Sequence, residues 1–516
     1  MIGAGQSRMS HKYPSKVRRL RIVLLVCLIL NLVLFAWTTI ATVLFPYDWS
    51  YGEGPLMDQA KRFVAGQTLY KAILDEPPYV IANYPPLYPL LVAGVGTATS
   101  LPFLQVGRAI SLFAALVSGL IVGLLAHRVS GSRLSGLLAA VLFLANPFVT
   151  HWSRLARVDL MALALSLVAL WVIYGRWHSW PWLAVAMVCL LASIFTRQTY
   201  ALAAPMAGVV WLWHHDRRRA LVFVVALASA TLSLFGLLNF FTAGGFYLNT
   251  VAANVNPYQV ARALDMGTPL LIFCPFVLVI AGLEIVQTLK RRNVQGERQG
   301  GETAARTSLL DWALHGLLPY TVGAFISALT IGKIGSDVNY FLELMAALAI
   351  WVAVALVWQP QRSARRQLAV LVLTLCQVAW LMGAGFLLRS AVATRWRDLA
   401  QYDRVYQQVK AATMQGPVLA DDYLGMVVLA GQRIYLQPFE YQQLSTAGIW
   451  DPSDLVNEIE AQKFPLMLLN EPGSALYAER WAPPIAAAIE ENYVGTEQLG
   501  ELVIYRPMKG IGSGRE

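Results

Sequence analysis

Runs of about 17 to 25 apolar residues, each long enough to cross a hydrocarbon core of roughly 30 Å as a helix, recur between Ile22 and Leu388. About eleven such runs can be counted. In lipid only helices and closed barrels satisfy every backbone N–H and C=O, so the expected fold is a polytopic α-helical membrane protein. Composition agrees: 57% of the 516 residues are hydrophobic and 14% charged, with a mean hydropathy of +0.52, whereas soluble domains carry about 25% charged residues.

The formal charge of +10 does not point to nucleic acid, because the basic residues follow the connections between apolar runs. They gather before Ile22, at 127–133, at 217–219, at 290–306 and at 362–366. The positive-inside rule assigns these segments to the cytoplasm. Residues 1–21 then form a cytoplasmic basic tail. Ile22 to Phe45 crosses outward, and no small-residue cleavage site follows it, so it reads as an anchor and not a removed signal. The membrane part is expected to occupy 22–388 of a cell-membrane protein, with a charged, Gly- and Gln-rich linker at 290–308 expected to be disordered. An odd number of spans leaves 389–516 outside. Cys27, Cys189, Cys274 and Cys376 all lie within apolar runs, with no CxxC or His-Cys cluster, so neither a disulfide framework nor a zinc site is expected.

Between the first two spans lies a long outer loop, 46–105. Its stretch from Pro46 to Leu91 carries Asp48, Glu53, Asp58, Glu76 and a Tyr84-Pro85-Pro86-Leu87-Tyr88-Pro89 run. Loops of this length inside a compact fold are usually functional. Pro85 to Leu101 is apolar but short and Gly/Pro-interrupted, and reads as re-entrant or juxtamembrane. A helix is expected from Pro55 to Ala65, directly after the Gly52-Glu53-Gly54 turn, with proline in its favoured first turn. In 389–516 the apolar runs shorten to strand length in VLADD, RIYLQP, PLMLLN and ELVIYRP, with PSDLVNEIEAQK between as a helix. This alternation predicts a soluble α/β domain. It contains no GxGxxG, P-loop or nucleophile elbow.

The predicted topology collects ionisable residues at one leaflet: Asp48, Glu53, Asp58, Arg154, Arg157, Asp159, Arg197, Arg262, Lys333, Asp337 and Glu343, with Tyr258 among them. Such residues at membrane depth are costly and tend to mark substrate sites. Arginines hold phosphate bidentately, an apolar groove takes a lipid tail, and a carboxylate deprotonates an acceptor hydroxyl. Plainer roles remain open beside these. Arg154 and Arg157 also fit snorkelling to head groups, Asp159 a helix cap, Arg197 a tight corner, and Tyr84 and Tyr88 interfacial anchors.

The order of these features resembles the GT-C superfamily of integral-membrane glycosyltransferases. An acidic motif follows the first span, then GxxLY, YPPLYPLL, an R.DxxxL element at Arg157 to Leu163, and the TRQT corner. The resemblance covers Met1 to about Trp358. It is nearest to the bacterial branch related to protein O-mannosyltransferases, lipid A aminoarabinose transferases and Rgt-type transferases. It implies inverting transfer of a sugar from a polyprenyl-phosphate donor to a lipid, glycan or protein acceptor at the outer face of the bilayer, with no cofactor and no required metal. The roles it implies are a catalytic base at Glu53, with Asp48 supporting and Asp159 as a second acid. Arg197, Arg157 and Lys333 would hold donor phosphate, and Tyr84, Tyr88, Tyr258, Arg262 and Tyr340 would contact substrate. One departure stands out: Gly52 occupies the place of the aspartate in the family's Asp-Glu pair. A lipid-linked-sugar flippase would use similar basic residues, but no internal repeat of the transporter kind is visible, and a non-catalytic envelope protein remains as a further alternative.

Overall fold

The structure, a computed structural model, describes residues 15–254, 256–295, 309–357, 364–499 and 502–510. The expected tail up to residue 14 and the linker from 296 to 308 lie outside the described residues. The helices of the membrane part are α1 (Ser15–Leu44), α2 (Glu53–Val64), α3 (Leu87–Thr99), α4 (Phe103–Ser130), α5 (Arg133–Leu144), α6 (Pro147–Ser153), α7 (Asp159–Arg176), α8 (Trp180–Ile194), α9 (Ala203–His215), α10 (Arg217–Phe241), α11 (Gly245–Thr250), α12 (Val260–Phe273), α13 (Pro275–Gln295), α14 (Leu318–Leu329), α15 (Leu342–Val357) and α16 (Ala364–Arg397). Among the described residues seven helices are long and apolar enough to cross a membrane, or nine if each of two bent pairs is one span.

Local sequence explains the bends. In the α5–α6 pair the chain turns by 67° at Asn146-Pro147, where Asn146 caps α6 by accepting the Phe148 N–H at 3.0 Å and proline opens the new helix. The α12–α13 pair turns by 91° at Cys274-Pro275, because a proline cannot continue the helical hydrogen-bond ladder. The other two of the eleven apolar runs form the short helices α8 and α9, of 15 and 13 residues. Between them lies the Arg197 corner.

Burial sorts the helices into layers. The middle helix α15 is apolar on every side and enclosed, with Trp351 fully buried, as expected of a helix inside a large bundle. By contrast α1 and α10 leave Val33, Leu232 and Phe240 exposed on their outer faces. The 13-residue α3 spans about 20 Å, short of the hydrocarbon core, which fits the re-entrant or juxtamembrane reading of 85–101.

Several boundaries differ from expectation. Within the described residues helix α1 already includes Lys16, Arg18, Arg19 and Arg21. Helix α2 begins at Glu53 itself, two residues before Pro55. Helix α16 runs 34 residues, about 51 Å, well past Leu388, and delivers the chain to the soluble part at Arg397.

That soluble part holds a four-stranded sheet of order β1-β2-β4-β3, from β1 (Leu419–Ala420), β2 (Met467–Asn470), β3 (Tyr493–Leu499) and β4 (Leu502–Pro507). Strand β1 pairs parallel to β2, and the rest of the sheet is antiparallel. The predicted strand RIYLQP is not part of this sheet. It bridges instead to the long outer loop at Tyr79↔Leu436, with Tyr79 N–H to the Tyr435 carbonyl at 2.6 Å and Gln437 N–H to the Tyr79 carbonyl at 2.9 Å. Loop residues Leu74, Tyr79 and Ile81 share one core with Tyr441, Trp450 and Phe464, and Phe45, Met57 and Val80 share another with Val409, Leu424 and Ile504. The carboxyl-terminal part and the loop between α1 and α4 are therefore one packed unit.

Candidate active site at the loop end of the bundle

Four segments meet where the loop, the bundle and the soluble part join. Glu53 and Arg108 form the floor. Glu53 is fully buried, and all its strong acceptor directions are taken. Arg108 Nε donates at 2.8 Å and Nη2 at 2.9 Å, while the backbone N–H groups of Ala156 and Trp49 donate at 2.8 and 2.6 Å. Burial alone would raise the Glu53 carboxyl, but Arg108 and these N–H groups hold it below the usual range. Arg108 in turn donates to the carbonyls of Thr42, Phe45 and Tyr47, which fastens the end of α1 to α4. The expected base thus sits in a closed network, with no lone pair directed at a ligand.

Asp48 is placed differently. It is buried, its Oδ2 accepts the Gly425 N–H at 2.9 Å, and its Oδ1 has no hydrogen-bond partner. Glycine at 425 permits this approach, because a Cβ there would lie 2.7 Å from the Asp48 carboxyl carbon. Burial pushes the Asp48 carboxyl up to about 7, Glu53 adding to the rise and the Gly425 N–H opposing it.

Beside it, Trp49 carries a guanidinium on each of two contacts: Arg154 at 4.8 Å and Arg395 at 4.3 Å from its ring. Arg154 is 2% exposed. It meets His151 Nδ1 at 3.2 Å, and its Nε and Nη1 have no partner. Burial, then the nearby charge of Arg395, pulls Arg154 down to about 10. Two cations close together without a carboxylate between them are favourable ground for an anion.

Arg157, Asp159 and Arg197 form a second group. Asp159, the first residue of α7, pairs with Arg197, accepts from Asn339 at 2.7 Å and lies 3.9 Å from Arg157 Nε. Its Oδ2 makes no hydrogen bond. Arg197 also lies 4.7 Å from the Tyr340 ring, and Arg157 Nη2 donates to the Tyr84 hydroxyl at 3.2 Å. A cavity of about 110 Å3 opens here, lined among others by Tyr51, Gly52, Asn83, Tyr84, Arg157 and Glu440. Within it Glu440 accepts from Tyr51 at 2.5 Å and Asn83 at 3.0 Å, and burial raises its carboxyl.

Gly52 has a specific role in this arrangement. A side chain at that position would fall on the Arg157 guanidinium, so the glycine leaves room for an arginine from the segment between α6 and α7. The backbone there is ordinary, with φ −74° and ψ −6°.

Of the residues singled out from sequence, Tyr84, Arg157, Asp159, Arg197 and Tyr340 form one chain of contacts. Tyr88 is a core residue, its hydroxyl bonded to the Gly107 carbonyl and Ser111, which corrects its reading as an interfacial anchor or ligand. Tyr258 is half exposed and bonds the Leu329 carbonyl, and it bridges to Lys333, itself exposed. Arg262 reaches the Ser336 carbonyl and Glu479. Neither Tyr258 nor Arg262 bonds to the arginine cluster among the described residues, whereas Lys333 lies within electrostatic reach of Tyr340, the ring beside Arg197. Arg108, Asn339, Arg395 and Glu440 were missed. Arg108 left a signal, since it is an ionisable residue inside an apolar run.

No protein-family profile matches this chain, and no curated protein matches it by sequence. Solved structures do. ArnT from Cupriavidus metallidurans bound to undecaprenyl phosphate aligns over 94% of this chain and 99% of its own, at TM-score 0.58 and 12% identity. The archaeal oligosaccharyltransferase AglB from Archaeoglobus fulgidus, in complex with an inhibitory peptide and a dolichol-phosphate, aligns over 94% of this chain and 75% of its own, at TM-score 0.50 and 11% identity. The chain has the GT-C fold. The likeness runs through the soluble part as well as the bundle, so the expected architecture of a helical membrane domain with a small carboxyl-terminal α/β unit holds over nearly the whole length of the GT-C neighbour ArnT.

Proposed function

We propose that this protein is a glycosyltransferase that moves a sugar from a polyprenyl-phosphate donor to an acceptor hydroxyl at the outer face of the membrane. The observation that carries the reading is the pair of buried Arg154 and half-buried Arg395 around Trp49, a cationic site with no ion-paired carboxylate among the described residues, in a fold shared with a transferase solved with undecaprenyl phosphate. In this reading the donor phosphate lies at Arg154 and Arg395, because the charge of Arg197 is already engaged by Asp159. Asp48 is the general base that takes the acceptor proton, and inversion follows from a single displacement. Arg157, Tyr84 and Glu440 line the acceptor or sugar side. The amino terminus is cytoplasmic and the soluble part extracytoplasmic.

Purified protein given radiolabelled polyprenyl-phosphate sugars and a crude envelope acceptor fraction should release polyprenyl phosphate and label the acceptor. Movement of intact donor across vesicles with no bond cleavage would instead establish the flippase. Arg154→Ala should weaken donor binding at least tenfold, and Arg154→Lys should recover part of it, because lysine keeps the charge but loses the planar fork. Equal affinity in all three proteins would remove Arg154 from the phosphate site.

Gly52→Ala isolates the placement of Arg157. Its backbone conformation suits alanine, so the denaturation midpoint should stay near that of the parent protein. Displacing a positioning group by about an ångström costs on the order of a hundredfold in turnover. Unchanged turnover would show that the position of Arg157 is immaterial.

A further inference from the structure

The far end of the bundle holds a second side-chain cluster that transfer does not use. Helix α9 runs about 20 Å from the Arg197 corner to His214, where it meets Asp311 and His315 on the segment leading into α14. The segment Ala313–Leu317 is a π-helical turn, a distortion found mostly as single turns at functional sites. It sets His315 over Asp311. His214 Nε2 and His315 Nδ1 each lie 2.8 Å from the same oxygen, Asp311 Oδ1, and the two imidazoles stack with centroids 3.7 Å apart and planes 9° from parallel. The three ligand atoms fall within 4.8 Å of one another. Neighbouring His215 is held away, its Nδ1 being 2.8 Å from the Trp211 carbonyl.

We propose that His214, Asp311 and His315 form a binding site for a divalent transition metal of the zinc class. Two imidazoles and one carboxylate are a borderline donor set that suits zinc, cobalt or nickel better than magnesium or calcium. Bonds of about 2.0–2.2 Å in a tetrahedral site require donor atoms about 3.4 Å apart. The two His–Asp311 spacings of 2.8 Å would widen slightly, and the stacked rings, 9° from parallel, would tilt about their side-chain bonds to aim both lone pairs at one ion. The ion replaces the two N–H donors to Asp311, each proton moving to the other ring nitrogen, and water completes the coordination from the solvent-facing side, where the three side chains are 29–40% exposed. An ion here clasps α9 to the start of α14, at the end opposite the arginine cluster, so its role is structural and separate from sugar transfer.

The test uses full-length protein freed of any affinity tag and stripped with a chelator, titrated in detergent with Co2+ and Zn2+. One equivalent of Co2+ should bind with the visible absorption of a four-coordinate site, and Zn2+ should compete for it and raise the denaturation midpoint. His214→Gln and His315→Gln keep hydrogen-bonding side chains beside Asp311 and should fold, yet each should lose at least tenfold in Co2+ affinity together with the Zn2+-induced shift. His215→Gln should retain both. Absence of saturable Co2+ binding, or binding and shift that persist in the His214→Gln and His315→Gln proteins, would overturn the proposal.

Discussion

Glu53→Gln should destabilise the protein by about 3–5 kcal/mol, the usual cost of breaking a buried ion pair by removing one partner. The substitution is close to isosteric, but it leaves the Arg108 guanidinium charged and enclosed with neutral acceptors only. It also turns one carboxylate oxygen into an amide NH2 facing N–H donors. Because Arg108 ties three carbonyls at the end of α1, the loss should spread to the first outer loop and the soluble unit packed on it. A lower thermal midpoint in detergent, and faster proteolysis of the loop, are the expected readings. Acid should mimic the substitution. The Glu53 carboxyl is held below its ordinary value, so its stabilisation is present above the usual glutamate range and is lost as pH falls through the folded-state value. A midpoint identical to that of the parent protein, with turnover abolished, would return Glu53 to the role of base.

The two acids of the first loop show what sequence reading reaches and where it stops. The helical bundle, the small carboxyl-terminal α/β unit and the convergence of Asp159, Arg157 and Arg197 could be read from apolar run length and charge placement, since these depend on transfer free energies summed over many residues; the count of about eleven spans could not, because the described residues hold seven long spanning helices, or nine with the bent pairs. Whether a particular carboxylate is occupied or open depends on its partners, and those come from far along the chain. Glu53 is closed by Arg108 and by the backbone at Ala156; Asp48 is left half open by a glycine 377 positions away. No local pattern encodes either contact. Strand RIYLQP was misplaced for a related reason. Its periodicity is genuine, but its partner is the loop at Tyr79, not the sheet. Tyr258 follows the same logic: charge placement puts it at the same end of the bundle, but its hydroxyl bonds the Leu329 carbonyl and not the arginine cluster.

The largest effect on chemistry is expected at Asp48. A general base needs a lone pair free for the acceptor hydroxyl, and among the three acids proposed for catalysis the oxygens of Glu53 are occupied while Asp48 Oδ1 and Asp159 Oδ2 are not. Asp159 already balances Arg197 and accepts from Asn339, so its charge is engaged. Asp48 receives one N–H and is pushed up to about 7 by burial, so its affinity for a proton is matched to neutral pH, where base catalysis is most effective. Asp48→Asn should therefore lower turnover by about a hundred- to ten-thousand-fold while donor binding at Arg154 and the denaturation midpoint change little. The pH profile supplies a second reading. The base works only when ionised, so kcat/KM of the parent protein should rise about tenfold per pH unit on the acid side and level off above about 7. That limb should vanish in the residual activity of Asp48→Asn and persist in Asp159→Asn. If Asp48→Asn keeps both its rate and its limb while Asp159→Asn loses them, the proton goes to Asp159, and the acceptor approaches beside Arg157.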